Sequence, residues 1–164
     1  MTINSSAASV TSGGARARWI STLATCDPEL LEQLWSRIWE GSTKPPPYRV
    51  VRAAEHGLVM VRGRSGGSGS RFNLGEMTVT RCTVQLVDDA AGTSYVQGRN
   101  KKHAERAALV DAMLQSNRWG VTMDRELIQP LLEQKAKHKD KVAKKSAATK
   151  VDFFTMTRTR EDKK

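Results

Sequence analysis

The densest set of side chains able to do chemistry is Arg99, Lys101, Lys102, His103 and Arg106, crowded around Asn100. Asparagine is a good helix cap, and the alanine-rich run that follows, to about Gln115, has helical character. A helix start already carries partial positive charge, so each exposed cation there is unfavourable by roughly 0.3–1 kcal/mol. Lys102 and Arg106 are four residues apart, a like-charge pair on one face that costs a few tenths of a kcal/mol unless an anion lies between them. A phosphate, a phosphonate or a partner's carboxylate supplies such an anion; the other reading is that both chains extend into water. His103 lines up with Ala107, Val110 and Leu114 at the edge of the apolar stripe, which fits a structural histidine better than a general base. Glu105 faces another side of the helix and does not pair with it.

A second set comprises Arg52, Arg62, Arg64, Arg71 and Arg81, on or beside strand-like runs. Arg62 and Arg64 alternate onto one strand face, and Arg71 follows a glycine-rich loop whose amides can approach an anion. The loop lacks the Gly-Lys-Ser/Thr of a phosphate-binding P-loop and the spacing of a dinucleotide fingerprint, so its plain reading is a flexible connector. Glu55 and Glu76 are partners for these arginines as readily as bases. The anion-binding or interface candidates are therefore Arg52, Arg64, Arg71, Arg81, Arg99, Lys102, His103 and Arg106. Cys26 and Cys82 stand alone without metal-ligand spacing, so neither a metal centre nor, in a reducing compartment, a disulfide is expected. No Ser-His-Asp or Cys-His arrangement emerges, and no catalytic residue is assigned.

The elements that position these groups follow from periodicity and punctuation. Residues 1–14 are rich in Ser, Thr and Gly and read as a disordered N-terminus. Residues 16–25 form a short helix, and Asp27-Pro28 opens a second one to about Glu40, with Leu31, Leu34, Trp35 and Ile38 on one face. The triple proline in 41–47 makes a stiff connector. Residues 48–54 and 58–64 read as strands of a hairpin turning at Glu55-His56-Gly57, with further strands at 77–87 and 94–98. Residues 123–149 are helical, with Pro130 opening a new helix; an apolar burst at 151–156 and a charged end at 159–164 follow. The expected fold is α+β: a four-stranded antiparallel sheet with flanking helices, a helical N-terminal arm and a long C-terminal helical segment with an apolar tail. Residues 15–158 form its single domain.

A chain of 164 residues suits one core, but 38 % apolar and 5 % aromatic residues leave part of the fold for a partner to stabilise. No run of about 18 apolar residues spans a bilayer and no signal segment opens the chain, so it is expected in the cytoplasm without membrane contact. Of the net charge of +10, seven charges fall in residues 135–164, with eleven Lys/Arg against four Asp/Glu. That basic segment reads as a solvated face. A nucleic-acid-binding module is a remote alternative, since residues 135–150 interleave no aromatics with their seven lysines.

Five ordered blocks resemble one known family: VRAAEHGLV at 51–59, GGSGSRFNLGE at 66–76, TVTRC at 78–82, VQGRNKKHAERAAL at 96–109 and VDFFTM at 151–156. They are similar to the PhnG family, the G subunit of the bacterial carbon–phosphorus lyase system, over about residues 18–158. The resemblance implies a place in organophosphonate catabolism, in a core complex of G, H, I and J subunits. There the G, H and I subunits, with the L protein, are associated with forming a ribose 1-phosphonate 5-triphosphate from ATP and an alkylphosphonate, displacing adenine. The J subunit then breaks the carbon–phosphorus bond with an iron–sulfur cluster and S-adenosylmethionine, so this chain is expected to bind no cofactor itself. Asn100 stands where many relatives are expected to carry aspartate; both cap helices.

Overall fold

The computed structural model describes residues 6–41, 44–65, 68–87 and 90–148, with side chains from Gly14 to Ala147. The expected apolar tail at 151–156 and the charged end lie outside the described residues. The first helix, α1 (Ser6–Thr25), starts upstream of Arg16. Asp27 then accepts the Glu29 amide at 2.9 Å and caps α2 (Pro28–Ile38), with Pro28 at its first position.

The sheet has three strands, not the four expected: β1 (Tyr48–Arg64), β2 (Arg71–Leu86) and β3 (Ala91–Gln97), antiparallel in that order. The hairpin turn expected at residues 55–57 is absent. Glu55, His56 and Gly57 pair with Arg81, Thr80 and Val79, so β1 continues straight through them. Only Gly41 and Gly98 have positive φ among the described glycines, so Gly57 supplies no turn conformation. Register shifts between Val50 and Arg52 and between Arg52 and Glu55 break the period of two, which is why one long strand looks like two short ones. β2 likewise starts at Arg71 rather than near Met77.

Asn100 caps α3 (Lys101–Gln115), which lies across β2 and β3. Its alanines explain how close it comes. Ala104, Ala107, Ala108 and Ala112 are buried, and a Cβ on Gly92 of β3 would overlap the Ala108 carbonyl and the Ala112 amide. Residues 120–148 form one helical rod: α4 (Gly120–Met123), a π-helical turn (Asp124–Ile128) and α5 (Gln129–Ala148). The Gln129 amide donates to the Asp124 carbonyl five residues back, just before Pro130, which has no N–H to give.

The core is continuous from Cys82, Val84 and Val96 on the sheet, through Leu109 and Met113 of α3, to Met123, Leu127 and Leu131 of the rod. Past Leu132, which still packs partly against this core, residues 133–147 are exposed, as the lysines among them require.

Candidate functional site

The junction between β3 and α3 is built by a short hydrogen-bond chain. Gly98 adopts φ of 88°, a conformation open to glycine, and turns the strand into the helix. Its amide donates to the Thr78 carbonyl at 2.9 Å, and the Thr80 hydroxyl donates to the Gly98 carbonyl at 2.7 Å. With that proton committed, Thr80 accepts from His56 Nδ1 at 3.1 Å. Asn100 Oδ1 accepts the His103 amide at 3.0 Å, which fixes the first turn. Arg99, Lys101 and Lys102 are exposed there, and no ion pair joins them among the described residues.

Arg106 takes a different path. Its guanidinium forks onto the Glu32 carboxylate of α2 at 2.9 and 3.2 Å and lies 4.2 Å from the Trp35 ring centre. The anion expected beside Lys102 and Arg106 is therefore, for Arg106, an acid of this same chain. Glu105 accepts the Tyr48 hydroxyl at 2.7 Å, which raises the pKa of Tyr48. Glu32, Tyr48, Lys102, Glu105, Arg106 and Leu109 line a cleft of about 390 Å³. Two carboxylates and two cations in one cleft can hold a ligand carrying both charges, or a peptide edge.

His103 is 5 % exposed, and its Nε2 donates to the Leu23 carbonyl at 2.8 Å. Burial lowers its pKa. This geometry ties α3 to the end of α1. Cys26 Sγ lies 3.5 Å from the same nitrogen, and burial pushes that thiol up to about 12, away from nucleophilic use.

The strand arginines split into two groups. Arg81 and Arg52 both reach Glu55, at 2.8 and 2.9 Å. Arg64 and Arg71 face each other at the outer end of the β1–β2 ribbon, where Arg64 reaches the Gly69 carbonyl at 3.4 Å. The eight candidates thus occupy three places rather than one: the helix start with its cleft, the Glu55 cluster and the ribbon tip.

One buried group went unforeseen. Asp111, fully buried in α3, accepts from Arg16 Nη2 at 2.8 Å, Trp19 Nε1 at 2.8 Å and the Thr93 amide at 2.9 Å. An aspartate inside an otherwise apolar helical stripe was the available signal. A second cleft of about 390 Å³ between α1 and α5, with Cys26, Asp27, Lys135 and His138 on its wall, joins residues too distant in sequence to be read together.

Fold and charge together define a basic α+β protein whose buried Asp111 is paired internally and whose exposed cations, among the described residues, include those at the start of α3, on the outer β1–β2 ribbon and along α5. A sequence model of the family described as phosphonate metabolism protein PhnG matches residues 14–159. The chain is also 42 % identical over 127 residues to the alpha-D-ribose 1-methylphosphonate 5-triphosphate synthase subunit PhnG of Rhizobium meliloti (strain 1021), covering 75 % of this chain and 78 % of that protein. The chain belongs to the PhnG family of phosphonate metabolism proteins. Among the described residues, no helix is long and apolar enough to cross a membrane.

Proposed function

We propose that this chain is a subunit of the synthase that forms α-D-ribose 1-alkylphosphonate 5-triphosphate from ATP and an alkylphosphonate, with release of adenine. The 42 % identity over 127 residues to the Rhizobium meliloti subunit carries this reading. In it, the chain works in the cytoplasm beside the H, I and J subunits, with the L protein joining for synthesis. S-adenosylmethionine and the iron–sulfur cluster belong to another subunit. Two lone cysteines without metal-ligand spacing, Cys26 and Cys82, support that placement.

The chain's role in this reading is to build and hold the assembly. In support, Arg81, Arg106 and Asp111 are already occupied by Glu55, Glu32 and Arg16. A second reading, in which the chain lends side chains to the nucleotide or phosphonate pocket, is favoured by Arg99 and Lys102 at a helix start, which form no ion pair among the described residues. Co-expression with the H, I and J proteins, followed by size-exclusion chromatography and mass measurement, tests membership. A heteromeric complex is expected, and a lone chain that ignores those proteins overturns the proposal. Arg99→Ala with Lys102→Ala then separates the two roles: normal turnover of the assembled complex supports the scaffold, and an assembled but inactive complex supports the pocket.

A further inference from the structure

The β1–β2 ribbon outruns the body that should cover it. β3 pairs with β2 only along Val79–Gln85, so from Thr78 outward the sheet is two strands wide. Such a ribbon is marginally stable in water by itself. Every residue from Arg71 to Glu76 is exposed, yet the ribbon carries Leu58 at 62 %, Met60 at 51 %, Phe72 at 46 % and Leu74 at 64 % exposure. Large apolar side chains gathered on so small an element mark an interaction surface.

The register divides these side chains: Phe72, opposite Gly63, and Leu74, against Gly63, lie on one face of the ribbon, and Leu58 and Met60 lie on the other, which is the surface in question. Leu58 stands opposite Thr78 and Met60 opposite Glu76, on the face that further along holds Thr80, Cys82 and Val84 beneath the helices. Leu58 and Met60 therefore continue the core-facing side of the sheet past the last helix that covers it.

Charge identifies what completes it. Arg62, Arg64 and Arg71 form no ion pair among the described residues, and Arg64 lies directly opposite Arg71, an unfavourable cross-strand pair. The hydrogen bond from Gly98 to Thr78 sets the cations Arg99, Lys101 and Lys102 at the root of the same ribbon. A second copy of this chain, with a net charge of +10, would bring cation against cation.

We infer that the outer β1–β2 ribbon is a docking arm that inserts into an apolar groove rimmed with carboxylates on a different protein chain. The inference rests on the subunit reading above and names the segment that makes the contact. Its test uses the full-length chain co-expressed with the H, I and J proteins, with two variants: Leu58→Ser with Met60→Ser, and Arg62→Glu with Arg64→Glu. The second touches only exposed charges, so it decides the matter if the first melts early. Both variants are expected to retain the circular dichroism melt of the isolated wild type and to lose about tenfold or more in affinity for the partner assembly. If the wild type assembles and both variants assemble equally well, the arm is overturned while the subunit reading survives. A wild type that fails to assemble overturns both. If instead the variants assemble normally but lose binding to a labelled single-stranded oligonucleotide in 0.1 M salt, the ribbon is a nucleic-acid surface and the docking arm is again overturned.

Discussion

The carboxylate of Asp111 and the guanidinium of Arg16 meet at 2.8 Å, the acid fully buried and the base reaching in from α1. Because the Trp19 indole and the Thr93 amide donate to the same carboxylate, this one side chain ties α1, α3 and β3 together. Asp111→Ala deprives the donors of Arg16, Trp19, Thr93 and Gln115 of their shared acceptor and should cost about 3–5 kcal/mol in urea denaturation. Asp111→Asn keeps an acceptor oxygen but not the charge and should cost about 2 kcal/mol. An alanine variant within 1 kcal/mol of wild type would show that water replaces the carboxylate.

Gly92 provides a second stability test. Its substitution by alanine places a methyl group against backbone atoms of α3 that cannot rotate away. Gly92→Ala should therefore destabilise the chain by about 3 kcal/mol. Gly75→Ala, with open space around its Cβ position, should change stability by no more than about 0.5 kcal/mol in the same thermal melt.

His103 sets a pH dependence. Burial lowers its folded pKa below the unfolded value of 6.5, so the unfolded chain binds the extra proton first as pH falls. Its stabilising contribution is complete above 6.5 and is lost as pH drops from there toward the folded value. Melting temperature should fall between pH 7.5 and 5. His103→Gln, which still donates to Leu23, should flatten that fall; an unchanged slope would assign it to other groups.

Arg106 joins an ion pair to an aromatic face, and the two can be separated. Arg106→Ala removes the Glu32 fork and the cover over Trp35, and should cost about 1–2 kcal/mol with a shift in tryptophan emission. Glu32→Gln weakens the fork alone and should cost well under 1 kcal/mol at this half-exposed position, leaving the emission near wild type. Equal effects from the two variants would show that Trp35 contributes nothing to holding the guanidinium.

Local chemistry was legible wherever one residue decides one geometry. Asp27-Pro28 and Asn100 placed the starts of α2 and α3, and the alignment of His103 with Ala107 and Val110 placed it at the buried stripe. The strand count was misread because bulges near Arg52 erased the alternation that separates one strand from two. Glycine at position 57 then looked like a turn although its backbone is extended within a ladder.

Family, charge distribution and most helix boundaries were determined by the sequence alone, because each depends on residue type and near-neighbour spacing. Only the tertiary structure decided that Arg106 meets Glu32, that Asp111 gathers Arg16, Trp19 and Thr93, and that Leu58 and Met60 extend past the helices. Those relationships join residues far apart along the chain. Their geometry comes from how helices pack on a sheet, and no local propensity encodes it.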